Sequence, residues 1–198
     1  MLSDSLVYVA GHRGLVGSAV WRALQEREIE TVGWSSAEVD LRNRDAAFDA
    51  VLSARPQVMV MAAARVGGIM ANATHPVDFL NDNLRIQTNL FEAAHAADVE
   101  RVVFLGSSCI YPKLAPQPIP ESALLTGPLE PTNQAYAIAK IAGIEAVNSY
   151  REQYNRRWIS VMPTNLYGPG DNFDLNSSHV LPAMIRKFHD ADAVVTLW

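Results

Sequence analysis

One cysteine in 198 residues excludes an internal disulfide framework, so packing alone must hold the fold. No apolar run approaches the roughly 20 residues that cross a hydrocarbon core. Residues 1–10 also lack the basic start and the apolar length of a signal peptide. No block of like charge is present: the net charge of −5 is spread along the chain, which argues against nucleic acid or an anionic membrane as the main partner. Internal repeats, low-complexity tracts and linkers are absent too. With 49% apolar residues, what remains is material for one sizeable core. The expectation is a cytoplasmic protein with a small-molecule partner and no metal.

The glycines give that partner a chemistry. Residues 6–10 form a short apolar run of strand character that ends at Gly11-His12-Arg13-Gly14-Leu15-Val16-Gly17. Val16, Ala19, Val20, Ala23 and Leu24 then recur at helical spacing, so the order is strand, glycine turn, helix. In that context Gly11 permits the tight turn, Gly14 lets a pyrophosphate approach backbone N–H groups, and Gly17 lets the helix pack on the sheet. A second strand over 29–34 ends at Ser35-Ser36. At this tip a NAD-binding half places an acidic side chain that grips the ribose 2′-hydroxyl and repels a 2′-phosphate. Two hydroxyls there, with Arg13 facing the same pocket, favour NADP(H). Glu38 and Asp40, both roughly 20 residues after the last glycine, are the acidic alternatives. Asp40-Leu41 is expected to lie over the adenine.

Strands and helices alternate through the rest of the chain. A helix over 44–54 precedes a strand over 57–61 that runs into Ala62-Ala63-Ala64, where small residues leave room for a cofactor or for close packing. Residues 65–69 read as a loop, 76–97 as a long helix, and 102–105 as a fourth strand delivering Ser107. Six prolines between 111 and 132 exclude helix and central strand there. A helix over 134–155, a strand over 158–162, a helix from His179 to about His189 and a sixth strand over 193–198 complete the pattern. The expected class is α/β with a doubly wound parallel sheet, its ligand crevice at the carboxyl ends of the strands. Residues 1–167 would form the dinucleotide-binding domain and 168–198 the start of a smaller substrate lobe. The 76–97 and 134–155 helices carry more apolar residues than one sheet contact requires, which points to a homodimer through them.

The candidate chemistry lies between Leu105 and Lys140. In Tyr136-Ala-Ile-Ala-Lys140 the spacing of four puts a phenol and an ammonium on one helix face, one turn apart. A nearby ammonium favours the phenolate, so Lys140 is expected to lower the Tyr136 pKa. Ser107, reaching the same substrate oxygen, would complete a carbonyl-polarising site. Stabilising an enolate also makes a C–H beside a ketone acidic, so one oxygen-binding site can serve both proton removal and hydride attack. If extended geometry persists past the strand, Ser107 and Cys109 face the same side. By itself Cys109 reads by default as a small buried apolar residue, and His179 as a solvated helix start.

Six segments carry a resemblance: AGHRGLVGSA, AAARVGGI, GSSCIYPK, EPTNQAYAIAKIAGI, MPTNLYGPGDNF and SHVLPAMIRKFH. Together they resemble the extended short-chain dehydrogenase/reductase family, in the branch that acts on a GDP-linked 4-keto-6-deoxy sugar. The resemblance implies an NADP-binding Rossmann fold in which Tyr136 protonates the C4 oxygen while NADPH reduces that carbon. Lys140 would hold the nicotinamide ribose and Ser107 would polarise the carbonyl. Cys109 would act as base and His179 as acid in epimerising C3 and C5. Lys187, Asn165 and Ser108 would contact the GDP-sugar. The cofactor would be lined by residues 11–17, by Ser36, Asp40 and Leu41, by Leu105, Gly106, Ser107 and Ser108, and by Lys140. Pro163, Thr164, Asn165, Leu166 and His179 would complete that lining. Two departures stand out. Trp34-Ser35-Ser36 replaces the arginines some members carry, and the chain stops at Trp198 where the family continues into its sugar lobe. Cofactor binding with weak or no turnover is therefore expected of these residues alone. The alternatives are another nucleotide-sugar epimerase or dehydratase that keeps NAD bound, and a silent dinucleotide-binding module.

Overall fold

Four consecutive apolar residues, all buried, make Val7–Ala10 (β1) a central strand of a parallel sheet rather than an edge. A computed structural model describes residues 5–175 and 177–196. In it, β1 pairs with Thr31–Val32 (β2) on one side and Val58–Met61 (β3) on the other. Arg101–Leu105 (β4) and Ile159–Val161 (β5) extend the sheet to the order β2-β1-β3-β4-β5, parallel throughout. The order reverses between β1 and β3, and in open α/β sheets such a switch point opens the ligand crevice at the carboxyl ends of the strands.

The period of two divides the strand residues between two cores. Tyr8, Ala10, Met59, Met61, Val102 and Phe104 join the larger one, with Leu90, Phe91, Val147 and Trp158. Its helices are Arg44–Ala54 (α2), Pro76–Ala96 (α4) and Gln134–Tyr154 (α5), with α4 packed between the other two. Val7, Val9 and Val58 face the opposite way and pack with Val20, Trp21 and Leu24 of Leu15–Gln25 (α1). Local chemistry sets several boundaries. Asn43 Oδ1 accepts the Ala46 N–H to start α2, Pro76 starts α4, and Asn155 at φ 53° stops α5. Trp158 is fully buried, and its indole N–H donates to the Val99 carbonyl at 3.2 Å. Among the described residues no helix is long and apolar enough to cross a membrane.

The architecture matches the expected class, with four local differences. The second strand is two residues long rather than six and stops before Gly33, where a side chain would meet the His12 ring. Residues 69–74, whose start was read as loop, form a short helix, Ile69–Thr74 (α3). The proline-rich stretch holds only isolated one-turn 3₁₀ helices, as its missing N–H donors dictate. No sixth strand forms over residues 193–196, and Leu197 and Trp198 lie outside the described residues. Instead the segment turns back on Val180–Asp190 (α6): the Thr196 carbonyl accepts the Lys187 ammonium at 3.0 Å and Val194 stays 82% exposed.

Candidate active site

The glycine turn is built from contacts that admit no side chain. Gly11 sits at φ +84°, and a Cβ there would lie 2.6 Å from the Ala63 nitrogen, so the turn rests directly on the backbone beyond β3. A Cβ on Gly17 would fall 2.0 Å from the Gly11 carbonyl oxygen, which fixes how near α1 approaches. Gly14 begins α1 with no side-chain cap and no acidic residue in the first turn. Leu15, Val16 and Gly17 therefore offer first-turn N–H groups at the positive end of a helix dipole, in a cradle that fits a pyrophosphate. His12 tucks beneath, its ring 5.0 Å from Trp21 and its buried Nδ1 without a partner.

At the tip of β2, Glu38 occupies the space between the expected hydroxyl and the expected cation. One carboxylate oxygen accepts the Ser35 N–H at 2.7 Å and the Ser35 hydroxyl at 2.6 Å, and lies 3.9 Å from the Arg13 guanidinium. These bonds to Ser35, with Arg13, hold the carboxyl below its ordinary range. Asp40 is engaged elsewhere, by a bidentate pair with Arg42 at 2.9 Å for both bonds. Of the two acidic alternatives, then, Glu38 meets the glycine loop. Ser36 is exposed beside it, while the Leu41 carbonyl accepts Asn89 Nδ2 at 2.9 Å and its side chain packs on the larger core.

Extended backbone ends at Ser107 (φ −160°, ψ 147°), and Ser108–Ile110 turn as a 3₁₀ helix. The two-residue alternation expected to align Ser107 with Cys109 is therefore absent. The turn aligns them instead, with the Cys109 N–H pointing at the Ser107 hydroxyl at 3.5 Å. The same hydroxyl lies beside both the Tyr136 phenol and the Cys109 thiol and favours the ionised form of each. Tyr136 is further oriented by Phe79, ring edge to ring face at 6.5 Å. Lys140, only 4% exposed, donates to the Leu105 carbonyl at 2.9 Å and lies 5.7 Å from the Tyr136 ring centre.

Electrostatics here run against one expectation. Burial, and then the nearby Cys109, push the Tyr136 pKa up, with only the Ser107 hydrogen bond opposing. Lys140 does not lower it, because its ammonium is directed at the Leu105 carbonyl and is itself desolvated, its pKa falling to about 8. Burial also raises the Cys109 thiol, offset in part by Ser107 and by the Lys140 charge. At neutral pH the corner therefore presents a neutral phenol, a neutral thiol and an ammonium around one serine hydroxyl.

The remaining expected residues lie in irregular chain after β4 and β5 and at the start of α6. Gly106 donates to the Val161 carbonyl at 2.9 Å, tying the end of β4 to β5, and Pro163, Thr164, Asn165 and Leu166 follow as irregular chain. His179 is the exposed N-terminal residue of α6, its imidazole free of any capping bond. Its loop is held to the chain before α3, where the Gly68 N–H donates to the Ser177 carbonyl at 3.1 Å. Sequence reasoning missed two supports. Asn83 bonds the Arg65 backbone on both sides, at 2.9 and 3.0 Å, and Gln87 Nε2 donates to the Ala139 carbonyl next to Lys140 at 2.8 Å. Their only signal was the amides Asn81, Asn83, Gln87 and Asn89 on a helix that also carries Phe79, Leu80, Leu84, Leu90 and Phe91. A cavity of about 1080 Å³ lies at the opposite end of the sheet, but three of its four arginines pair with Asp98 and Glu100 and it holds no comparable chemistry.

Comparison with known proteins gives this geometry relatives. The model of the NAD dependent epimerase/dehydratase family matches residues 7–198. A GDP-L-fucose synthase from Sinorhizobium fredii is 53% identical over 191 residues, 96% of this chain and 61% of that protein. GDP-L-fucose synthase 1 of Arabidopsis thaliana is 57% identical over 187 residues, 93% of this chain and 58% of that protein. Among solved structures, a GDP-D-glycero-L-gluco-heptose synthase from Campylobacter jejuni, crystallised in the presence of NADPH, superimposes with a TM-score of 0.90 at 37% identity. That match covers 96% of this chain and 56% of the solved one. The chain spans about 60% of the length of the curated relatives it matches.

Proposed function

The chain belongs to the NAD dependent epimerase/dehydratase family, and on that premise we propose that it carries the cofactor site and catalytic corner of a GDP-L-fucose synthase. The reaction is epimerisation of GDP-4-keto-6-deoxy-D-mannose at C3 and C5, followed by NADPH-dependent reduction at C4. One observation carries this reading: a single Ser107 hydroxyl lies beside both the Tyr136 phenol and the Cys109 thiol and influences the ionisation of each. Bound in the glycine cradle, NADPH supplies the hydride.

The residues divide the remaining work. Ser107 and Tyr136 polarise the C4 oxygen, and the same two hydroxyls stabilise the enolate when a proton leaves C3 or C5. A phenol held above its ordinary pKa stays protonated, which suits Tyr136 to give its proton to the C4 oxygen in the reduction. Cys109 must lose its proton before acting as base, and the Ser107 hydrogen bond and the Lys140 charge both favour the thiolate. His179 returns protons from the opposite face, and Lys140 holds the nicotinamide ribose. Residues 168–198 begin the substrate lobe, where Lys187, Asn165 and Ser108 meet the GDP-sugar. We place the protein in the cytoplasm, consistent with a lone free cysteine, as a homodimer through α4 and α5, whose Val77 and Ile138 are exposed. Adding GDP-4-keto-6-deoxy-D-mannose to the encoded protein with NADPH should produce a substrate-dependent fall in reduced-nicotinamide absorbance. No such fall overturns the assignment.

A further inference from the structure

Arg13 and Ser35, the cation and hydroxyl best placed to read the cofactor's ribose, are already engaged by a carboxylate. One oxygen of Glu38 collects a backbone N–H, a hydroxyl and a guanidinium, at 2.7, 2.6 and 3.9 Å. That is the donor set by which proteins bind a phosphate oxygen. Its position fits as well. Arg13 lies between two glycines of the cradle, and Ser35 follows β2, the strand beside β1, in the region where the adenosine ribose of a dinucleotide crosses the sheet.

Resting on the NADPH reading above, we propose that Glu38 is an internal anion that competes with the cofactor's 2′-phosphate for Arg13 and Ser35. Its strength as a competitor sets how far this site prefers NADPH to NADH. The turn does not depend on the carboxylate, because the Ser35 carbonyl accepts the Glu38 and Val39 N–H groups at 3.0 and 2.9 Å. The side chain can therefore swing out while the main chain stays in place. Arg13 and Glu38 are 70% and 56% exposed, so their pair is weak enough for a phosphate to displace. Once displaced, the carboxylate remains close to the phosphate and weakens the binding it has permitted. Ser36, the next side chain, brings no charge to offset it.

Fluorescence titration of the wild type and Glu38→Gln with NADPH and with NADH tests this. Glutamine keeps the length and the acceptor for Ser35 but removes the charge. NADPH binding should tighten about threefold, the scale of an exposed ion pair, with NADH little changed, and an Arg13→Ala background should abolish the gain. An unchanged NADPH-to-NADH ratio would mean that Glu38 only caps its turn. Selective loss of NADH binding would mean that it grips the 2′-hydroxyl. Either result overturns the proposal. A wild type that prefers NADH, with the preference moved toward NADPH by Glu38→Gln, would keep the role of Glu38 and correct the cofactor assignment. Binding of neither cofactor by the wild type overturns both.

Discussion

The corner around Ser107 and the helix α6 differ in how each is held. Lys140 is buried and donates to the Leu105 carbonyl of β4, and Tyr136 and Cys109 are half-buried beside Ser107. Helix α6 buries only Pro182 and Ala183, while Val180, Leu181, Ile185 and Phe188 lie on the surface. The proposed reduction residues are thus fixed by contacts within this chain. The helix carrying His179 and Lys187 is attached mainly through its loop to Gly68 and through Thr196. On the proposed reading, the corner next to the cofactor is held by this chain's own contacts, whereas the helix that would face the sugar is loosely held in a chain spanning about 60% of its relatives' length.

Tyr136→Phe should break the contrast most severely. Removing a positioned proton donor costs about 10²–10⁴ in rate. The NADPH dissociation constant should move little, because the phenol lies outside the glycine cradle. Steady-state rates and a fluorescence titration check both halves. A comparable loss of binding would place Tyr136 in the cofactor site instead.

Lys140→Met should separate function from stability. The ammonium is desolvated, and replacing it with an apolar chain of similar length is expected to change stability by about 1–3 kcal/mol in the favourable direction while activity falls. The sign also shows in pH. The folded value, about 8, lies below the ordinary lysine value of 10.5, so between them the unfolded chain binds the extra proton. The contribution of this residue to stability therefore improves as pH rises from about 8 to 10.5, and the trend should vanish in Lys140→Met. Denaturant melts across that range measure it.

The smallest effect belongs to α6. Phe188→Ser, on a 58% exposed position, should shift stability by no more than about 0.5 kcal/mol. A cost of about 3 kcal/mol or more, the scale of emptying a core aromatic site, would show that the face is covered in solution.

How much of this was legible depended on whether the signal was local. Gly11, Gly14 and Gly17 followed by a helical repeat are local, and so is the one-turn spacing of Tyr136 and Lys140, so the cradle and the phenol–ammonium pair emerged from the letters. The pKa of Tyr136 did not, because proximity along a helix says nothing of desolvation or of the Leu105 carbonyl that takes the lysine's bond. The Ser107–Cys109 alignment was anticipated through the wrong geometry: a 3₁₀ turn and an extended pair both bring i and i+2 near, and only the backbone separates them. The apolar run at 193–198 resembled a strand, but a strand needs an edge within reach, and the described part of that segment pairs with its own helix instead. Helix α3 was hidden by Gly67-Gly68, which read as loop but supply the start of a short helix.

The most direct test of the central claim, that one hydroxyl serves both half-reactions, compares Ser107→Ala with Cys109→Ser. The measurement is solvent-deuterium exchange at C3 and C5 of the ketosugar, set beside the rate of NADPH oxidation on an already epimerised ketone. Ser107→Ala should slow both, and Cys109→Ser should slow exchange far more than reduction. If Ser107→Ala slowed only one process, or Cys109→Ser slowed the two equally, the shared oxygen site would be contradicted.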